Sequence, residues 1–460
     1  MEKSYSLTGI ASVSEIPPGT KVLFANVPAD GHYNPMTGLA AHLQNIGCDI
    51  RWYSSVQYAP KIKKLQIPFF PFKRAVDWSG DNLDQLFPER NNKKTQLSKL
   101  KFDMINAFIL RAPEYYSDIS EIYASFPFDI LVADVTFSAI PFIKEKMGIP
   151  VIAVGVLPLV ETSKDLAPAG LGMTPSKSYW GRKKQDLLRF MANKVLFREP
   201  NQVMKKMLKE NNIEAGNDNV FDIIVRKSDL LLQSGTPGFE YKRSDMSRNI
   251  RFIGALLPYT SAKKQSTWSS PKLRQYRKIV LVTQGTVEKD INKILVPTLE
   301  AFKGTDYLVV ATTGGSRTAE LKAKYPQENF IIEDFIPFND VMPYASVYIT
   351  NGGYGGVMLG IENHLPLVVG GVHEGKNEIN ARVGYFKLGI NLGTEKPKPS
   401  QIRKAVEKVM ADGTYRKNVQ QLSKELGQYN PNELFARHIA NIINKSSEAV
   451  VQYNHIQFQN

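Results

Sequence analysis

Lys21-Val-Leu-Phe-Ala-Asn-Val-Pro28 runs straight into Ala29-Asp-Gly-His-Tyr-Asn-Pro35, and Lys278-Ile-Val-Leu-Val-Thr-Gln-Gly-Thr286 repeats that plan in the second half of the chain. Each is an apolar, β-branched run that feeds a glycine-containing turn. A helical stretch follows in both cases, Met36 to Ile46 and then Asn292 to Phe302. Such runs suit strands buried on both faces of a parallel sheet. Further strands are predicted at Asp49–Tyr53, Asp129–Asp134, Val151–Val156 and Leu230–Gln233. In the second half they fall at Tyr307–Thr312, Phe330–Glu333, Val347–Thr350 and Leu367–Val369. Helical patterns such as Ala139–Met147 and Gln401–Met410 separate them. Strand and helix alternating twice over predicts an α/β protein of two Rossmann-like, parallel-sheet domains.

The organisation follows from the gaps. Residues 1–257 form the expected first domain. Residues 258–277, rich in Ser, Lys and Gln, read as an exposed linker. Residues 278–430 form the second domain, and residues 431–460 a helix to about Asn444 with a loose tail. Val76 to Lys101 is polar and irregular and reads as an insertion near a binding face. With 460 residues, two or three domains are expected, each able to bury a core.

Composition excludes several classes. The chain is 43% hydrophobic and 22% charged, which is ordinary globular usage. The N-terminus lacks the apolar core of a signal peptide, and Ile149 to Val160 is too short and too rich in proline to span a bilayer. The single cysteine, Cys48, leaves no internal disulfide, which fits a reducing, cytoplasmic setting. The 58 basic against 44 acidic residues leave a charge of +14, which suits an anionic partner: nucleic acid, a membrane surface or a phosphorylated ligand. No helix-turn-helix or basic–aromatic repeat speaks for nucleic acid. Basic clusters such as Arg182-Lys-Lys read as solvated surface.

Three places carry chemistry. His32, at the mouth of the first strand, has the side chain of a general base, or else caps the following helix. Asp134 ends an apolar strand, where it either orients an imidazole or caps the next helix. Thr350-Asn-Gly-Gly-Tyr-Gly-Gly-Val packs four glycines into five residues between a strand and a helix, the arrangement that brings backbone N–H groups up to a phosphate. It is neither a P-loop nor G-x-G-x-x-G. Thr283, Gly285 and Thr286, with Thr312-Thr-Gly-Gly315, extend the same anion-binding rim. No G-x-S-x-G is present. No metal is expected, because His42, His364, His373, His438 and His455 show no ligand spacing.

Together these residues resemble the GT-B glycosyltransferases of the family-1 type, which act on plant secondary metabolites and bacterial macrolides. The likeness runs from Val22 to about Ile442. It is most specific in Asp334-Phe-Ile-Pro-Phe, Asn351-Gly-Gly-Tyr-Gly-Gly, Leu365-Pro-Leu-Val-Val and Asn380-Ala-Arg-Val to Leu388-Gly-Ile. The resemblance implies two domains facing across a cleft, with the acceptor on the first and the nucleotide sugar on the second. His32 matches the base and Asp134 the residue that orients it, for transfer with inversion and without metal or other cofactor, the UDP-sugar (glucose being expected) acting as co-substrate. It places donor contacts on Gly31, Phe335, Ile336, Pro337, Asn351, Gly353, Tyr354, Gly355, Gly356, Glu374, Lys376 and Asn377. The C-terminal helix is expected to cross back onto the first domain.

Several positions depart from that pattern. Asn351 replaces the diphosphate histidine, and Gly355 and Gly356 its hydroxyl or amide pair. Leu359 replaces the ribose-binding glutamate, with Glu362 one turn on. Phe335 replaces the base-stacking tryptophan. A lipophilic acceptor is expected from Trp78, Met104, Phe108, Phe137, Tyr179 and Trp180. A sugar-nucleotide epimerase of the same plan and a non-enzymatic nucleotide or nucleic-acid binder stand as alternatives.

Overall fold

The first sheet is built from β1 (Lys21–Ala25), β2 (Asp49–Ser54), β3 (Phe69–Pro71), β4 (Ile130–Asp134), β5 (Val151–Gly155), β6 (Leu230–Gln233) and β7 (Ile250–Phe252). The second holds β8 (Lys278–Thr283), β9 (Tyr307–Thr312), β10 (Phe330–Glu333), β11 (Val347–Thr350), β12 (Leu367–Val369) and β13 (Gly389–Asn391). Strand order is β3-β2-β1-β4-β5-β6-β7 in one and β10-β9-β8-β11-β12-β13 in the other, parallel throughout. This computed structural model describes residues 16–79, 82–259, 268–285, 288–373 and 375–457, with side chains as far as residue 445.

The apolar runs are strands because period-two alternation gives each strand two cores. Leu23, Ala25, Leu131 and Ala133 point to one cluster, whereas Val22, Phe24, Ile130 and Val132 point to the other. In the second sheet Ile279 and Leu281 face one core and Val280 and Val282 the opposite one. The α/β class with two doubly covered parallel sheets is therefore as expected.

Three strands have no counterpart in the sequence reading: β3, β7 and β13. Each is three residues long and lies at a sheet edge, where a strand needs no run of apolar residues to cover both faces. The first helix also starts early, spanning Asp30–Asn45 rather than Met36 to Ile46. Pro35 forfeits a single backbone bond to Gly31 and holds a helical φ, so it sits in the helix without ending it. His32 thus lies in the first helical turn and not in a turn before it. The segment expected to be irregular contains the helices Leu83–Leu86 and Gln96–Asp103, the latter started by a Thr95–Ser98 capping box.

Of residues 258–277, those at 260–267 lie outside the described residues. The remainder does not behave as an exposed linker: Leu273 is buried in the second domain's core, with Trp268 and Tyr276 packed against it. The final helix, Pro431–Gln457, runs beyond Asn444 because no proline or glycine stops it. It returns to the first domain, where Phe435, Ala436 and Ile439 join the cluster of Val22 and Phe24.

Candidate active site

In an open parallel sheet, the chain leaves neighbouring strands in opposite directions at the point where strand order reverses, and a crevice opens there. In the first sheet that point is β1/β4, with Ala25 beside Ala133. The next residue, Asp134, is fully buried and ends β4. His32 reaches it from the helix after β1, with Nδ1 at 2.9 Å from Oδ1. The same carboxylate accepts the Val27 N–H at 2.8 Å, the Thr136 N–H at 2.9 Å and the Thr136 hydroxyl. Burial raises the Asp134 pKa most strongly, but the His32 charge and the bonds from His32, Thr136 and Val27 together outweigh it and hold the carboxyl below its usual range. An ionised carboxylate only accepts, so Nδ1 of His32 donates to it, and in the neutral ring Nε2 carries the lone pair. The ring forms part of the wall of a cavity of about 870 Å³ lying between the two domains.

The cavity's first-domain wall is mostly apolar, including Met104, Phe108, Leu157, Phe197, Met204 and Met207, with Arg90, Lys99, Asp103 and Glu161 among its charged members. Met104 and Phe108 therefore stand where an acceptor was expected. The other four do not. Trp78 is buried, donating to the Tyr115 hydroxyl at 3.2 Å, and Phe137 stacks on Tyr115 at 4.8 Å in the core. Tyr179 and Trp180 open a surface helix and face outward. Apolar character alone does not separate core from cavity wall, or either from exposed surface.

The second sheet reverses at β8/β11, with Thr283 beside Thr350. The loops that follow meet: Asn351 Nδ2 donates to the Gln284 carbonyl, and Asn351 Oδ1 accepts the Gly353 N–H at 3.3 Å. Asn351 thus shapes the loop that starts the helix Tyr354–Glu362, with Gly353 as its N-cap. Gly352 has φ +84°, and a Cβ there would lie 1.8 Å from Asn380 Oδ1, so only glycine fits. Gly285 and Gly314 approach the same place: a Cβ on Gly314 would sit 3.3 Å from the Gly285 carbonyl. Phe335 lies beside Gly315 with its ring exposed. Gly355 has open space where a Cβ would be, and Gly356 follows it in the first helical turn.

Other donor positions fall elsewhere. Thr283 is buried and its hydroxyl accepts the Gly285 N–H, which fixes the turn. Ile336 is core, while Pro337 is the exposed N-cap of a short helix. Tyr354 is buried and donates to the Ser234 carbonyl at 2.7 Å, a strut between domains that leaves its hydroxyl no part in donor contact. Gly31 is the second residue of the first helix, next to His32. Glu362 ends the helix whose N-terminus faces the rim, about 12 Å away along the axis, so it does not stand in for the carboxylate missing at Leu359. Thr286 and Glu374 lie outside the described residues. Lys376 and Asn377 line the cavity, and Asn377 also donates to the Gly170 carbonyl.

A charged group on the second-domain wall was not anticipated. Lys293 Nζ bonds Glu288 and lies 3.2 Å from Glu395, whose other oxygen accepts the N–H groups of Val372 and His373 at 2.6 and 3.0 Å. All five residues line the cavity. Burial acts against the Glu395 charge, but these bonds and Lys293 leave its pKa lowered. Glu288 and Lys293 share one loop, but Glu395 comes from another about a hundred residues on, so no spacing announces the group.

Two clamps set the width of the cleft. Buried Arg382 donates to Glu240 of the first domain at 2.8 and 3.1 Å. Glu378 accepts the N–H groups of Gly170 and Gly172 at 2.9 and 2.8 Å. Among the described residues no three His, Cys, Asp or Glu side chains converge as a metal site, and no helix is long and apolar enough to cross a membrane.

Residues 298–441 match the family described as the erythromycin biosynthesis protein CIII-like C-terminal domain. The chain is 32% identical over 408 residues to 4'-demethylrebeccamycin synthase of Lentzea aerocolonigenes, covering 88% of this chain and 96% of that protein. It is 28% identical to UDP-glycosyltransferase 2 of Phaeomoniella chlamydospora, with 88% and 91% covered. The crystal structure of the calicheamicin glycosyltransferase CalG4 superposes with a TM-score of 0.70 at 20% identity, over 92% of this chain and 98% of that one, and supports the fold. The paired parallel sheets, the cleft between their reversal points and this extent of likeness lead to one conclusion: the chain belongs to the family-1-type GT-B glycosyltransferases, enzymes that move a sugar from a UDP-sugar to a small molecule.

Proposed function

We propose that this protein transfers glucose from UDP-glucose to a hydroxyl group of a lipophilic small molecule, with inversion at the anomeric carbon. The observation that carries the reading is the His32–Asp134 pair, 2.9 Å apart, with His32 in the wall of a largely apolar cavity whose second-domain side is lined by His373, Lys376 and Asn377. His32 Nε2 takes the acceptor's proton while the acceptor oxygen bonds to the anomeric carbon. The bond from that carbon to the β-phosphate oxygen breaks, and its electron pair leaves with UDP. Asp134 holds the proton-bearing Nδ1 and stabilises the imidazolium as it forms. The backbone N–H groups of Gly353 to Gly356, at a helix N-terminus, take up charge on the departing diphosphate, so the step needs no metal. Phe335 offers a face for the base, and Lys376 and Asn377 the nearest polar groups for the sugar.

The test supplies UDP-α-glucose and a panel of hydroxylated polycyclic acceptors, with NMR of the product. A β-glucoside whose formation collapses in His32→Ala supports the reading. An α-glucoside, or turnover of an aliphatic alcohol retained in His32→Ala, overturns it. Conversion of the sugar nucleotide without an acceptor would mark an epimerase instead.

A further inference from the structure

The excess positive charge is not used up by the cleft, and part of it gathers on one surface helix. Residues 177–198 hold seven basic side chains against a single acid, Asp186. The segment is the helix Tyr179–Met191 with the wider turn Ala192–Leu196 that continues it. Its polarity is the reverse of an ordinary surface helix. The inward side is held by polar contacts: buried Gln185 donates to the Thr174 carbonyl at 3.0 Å, and Arg189 donates to the Leu166 carbonyl. The outward side carries large apolar side chains among its lysines. Trp180 is 79% exposed, Phe190 61% and Val195 63%, and Tyr179, Leu187 and Met191 are exposed with them. Trp180, Lys184, Leu187, Met191 and Val195 follow one another at steps of three or four, which puts them on one stripe. Lys183 and Lys194 flank it and are exposed as well.

Six large apolar side chains on one exposed face are uncommon on a soluble monomer and mark a surface that is covered in use. The chemistry of the cover follows from the mixture. Aromatic rings at the start, aliphatic side chains along the stripe and lysines on both sides form the pattern of a helix lying in the plane of a bilayer interface. Negative lipid headgroups complement the lysines, and the chain's net charge of +14 adds to the attraction. We propose that the segment 179–196 docks this protein peripherally on an anionic membrane surface. Phe197, directly after the segment, lines the interdomain cavity, so docking brings the cavity's apolar wall next to the lipid.

Co-sedimentation of the full chain with vesicles tests this without reference to activity. The protein sediments with equimolar phosphatidylcholine–phosphatidylglycerol vesicles at low salt, and far less with phosphatidylcholine alone or at high salt. Lys183→Glu combined with Lys184→Glu weakens binding roughly tenfold or more, from the usual worth of a basic residue at an anionic surface. Trp180→Ser with Phe190→Ser weakens it comparably. Because Trp52 and Trp78 are buried and Trp268 packs against the second domain's core, a blue shift of tryptophan emission on adding vesicles should vanish in Trp180→Phe. All four positions are exposed, so circular dichroism should match the wild type. Absence of binding to anionic vesicles overturns the proposal, as does binding that ignores these substitutions. So does a concentration-dependent dimer that Trp180→Ser dissociates in a protein with no affinity for vesicles, which would make the stripe a protein interface.

Discussion

Replacing Asp134 by asparagine keeps the volume of the side chain and changes a single property: one acceptor oxygen becomes a donor. The carboxylate accepts on one side from His32 and Thr136 and on the other from Val27. The amide has two ways to sit. With its oxygen towards His32, its NH₂ faces the Val27 N–H, and both donors are buried without a partner. With its oxygen towards Val27, its NH₂ faces His32 Nδ1 and bonds only if that nitrogen gives up its proton. The second arrangement strands fewer donors, because the Thr136 N–H is the main loss. It also places the imidazole proton on Nε2, where the ring no longer accepts a proton from the acceptor hydroxyl. Returning to the productive tautomer means burying the mismatched donors, at about 1–3 kcal/mol each. Two such groups give about 2–6 kcal/mol, or roughly 30-fold to 10⁴-fold in kcat. The assay is the initial rate of glycoside formation with an alkyl alcohol acceptor, alongside calorimetric titration of UDP, whose affinity should hold because the rim belongs to the other domain. A folded Asp134→Asn protein with kcat within a few-fold of wild type would show that the pair does not act as base and orienter.

Gly355→Val should fold normally, since nothing lies within 4 Å of the new Cβ, yet lose UDP binding in titration because the side chain fills the space at the helix N-terminus. Arg382→Ala removes the cation hydrogen-bonded to buried Glu240 and should lower stability by about 3–5 kcal/mol in urea denaturation. Burial first, then Arg251 and Arg437, lower the His438 pKa to about 4 from 6.5. The unfolded chain therefore binds this proton first as pH falls, and stability complete above about pH 6.5 is lost towards pH 4, by at most about 3 kcal/mol. His438→Leu should flatten that part of a melting-temperature profile against pH. Exhaustive treatment with EDTA should leave turnover unchanged, and activity lost and restored by Mg²⁺ or Mn²⁺ would refute a diphosphate site made of backbone N–H groups.

The sequence by itself determined the features that depend on neighbouring residues. β-branched runs that alternate between two cores specify buried parallel strands, so both sheets and the mouths of their strands were legible. His32, Asp134 and the Gly352–Gly356 turn were legible for the same reason, each standing at the end of such a run. Tertiary structure decided what depends on distant company. Edge strands β3, β7 and β13 exist because a neighbour lends them a ladder, and no long apolar run is required. Whether an apolar side chain is core or cavity wall, Phe137 against Phe108, depends on which element covers it. Glu288 and Lys293 meet Glu395 only once two distant loops come together, and Glu362 proves to end the helix whose N-terminus faces the rim. The exposed stripe from Trp180 to Val195 belongs with these. Composition shows basic and aromatic residues together, but only packing, with Gln185 and Arg189 taking the inner face, turns the apolar side outward.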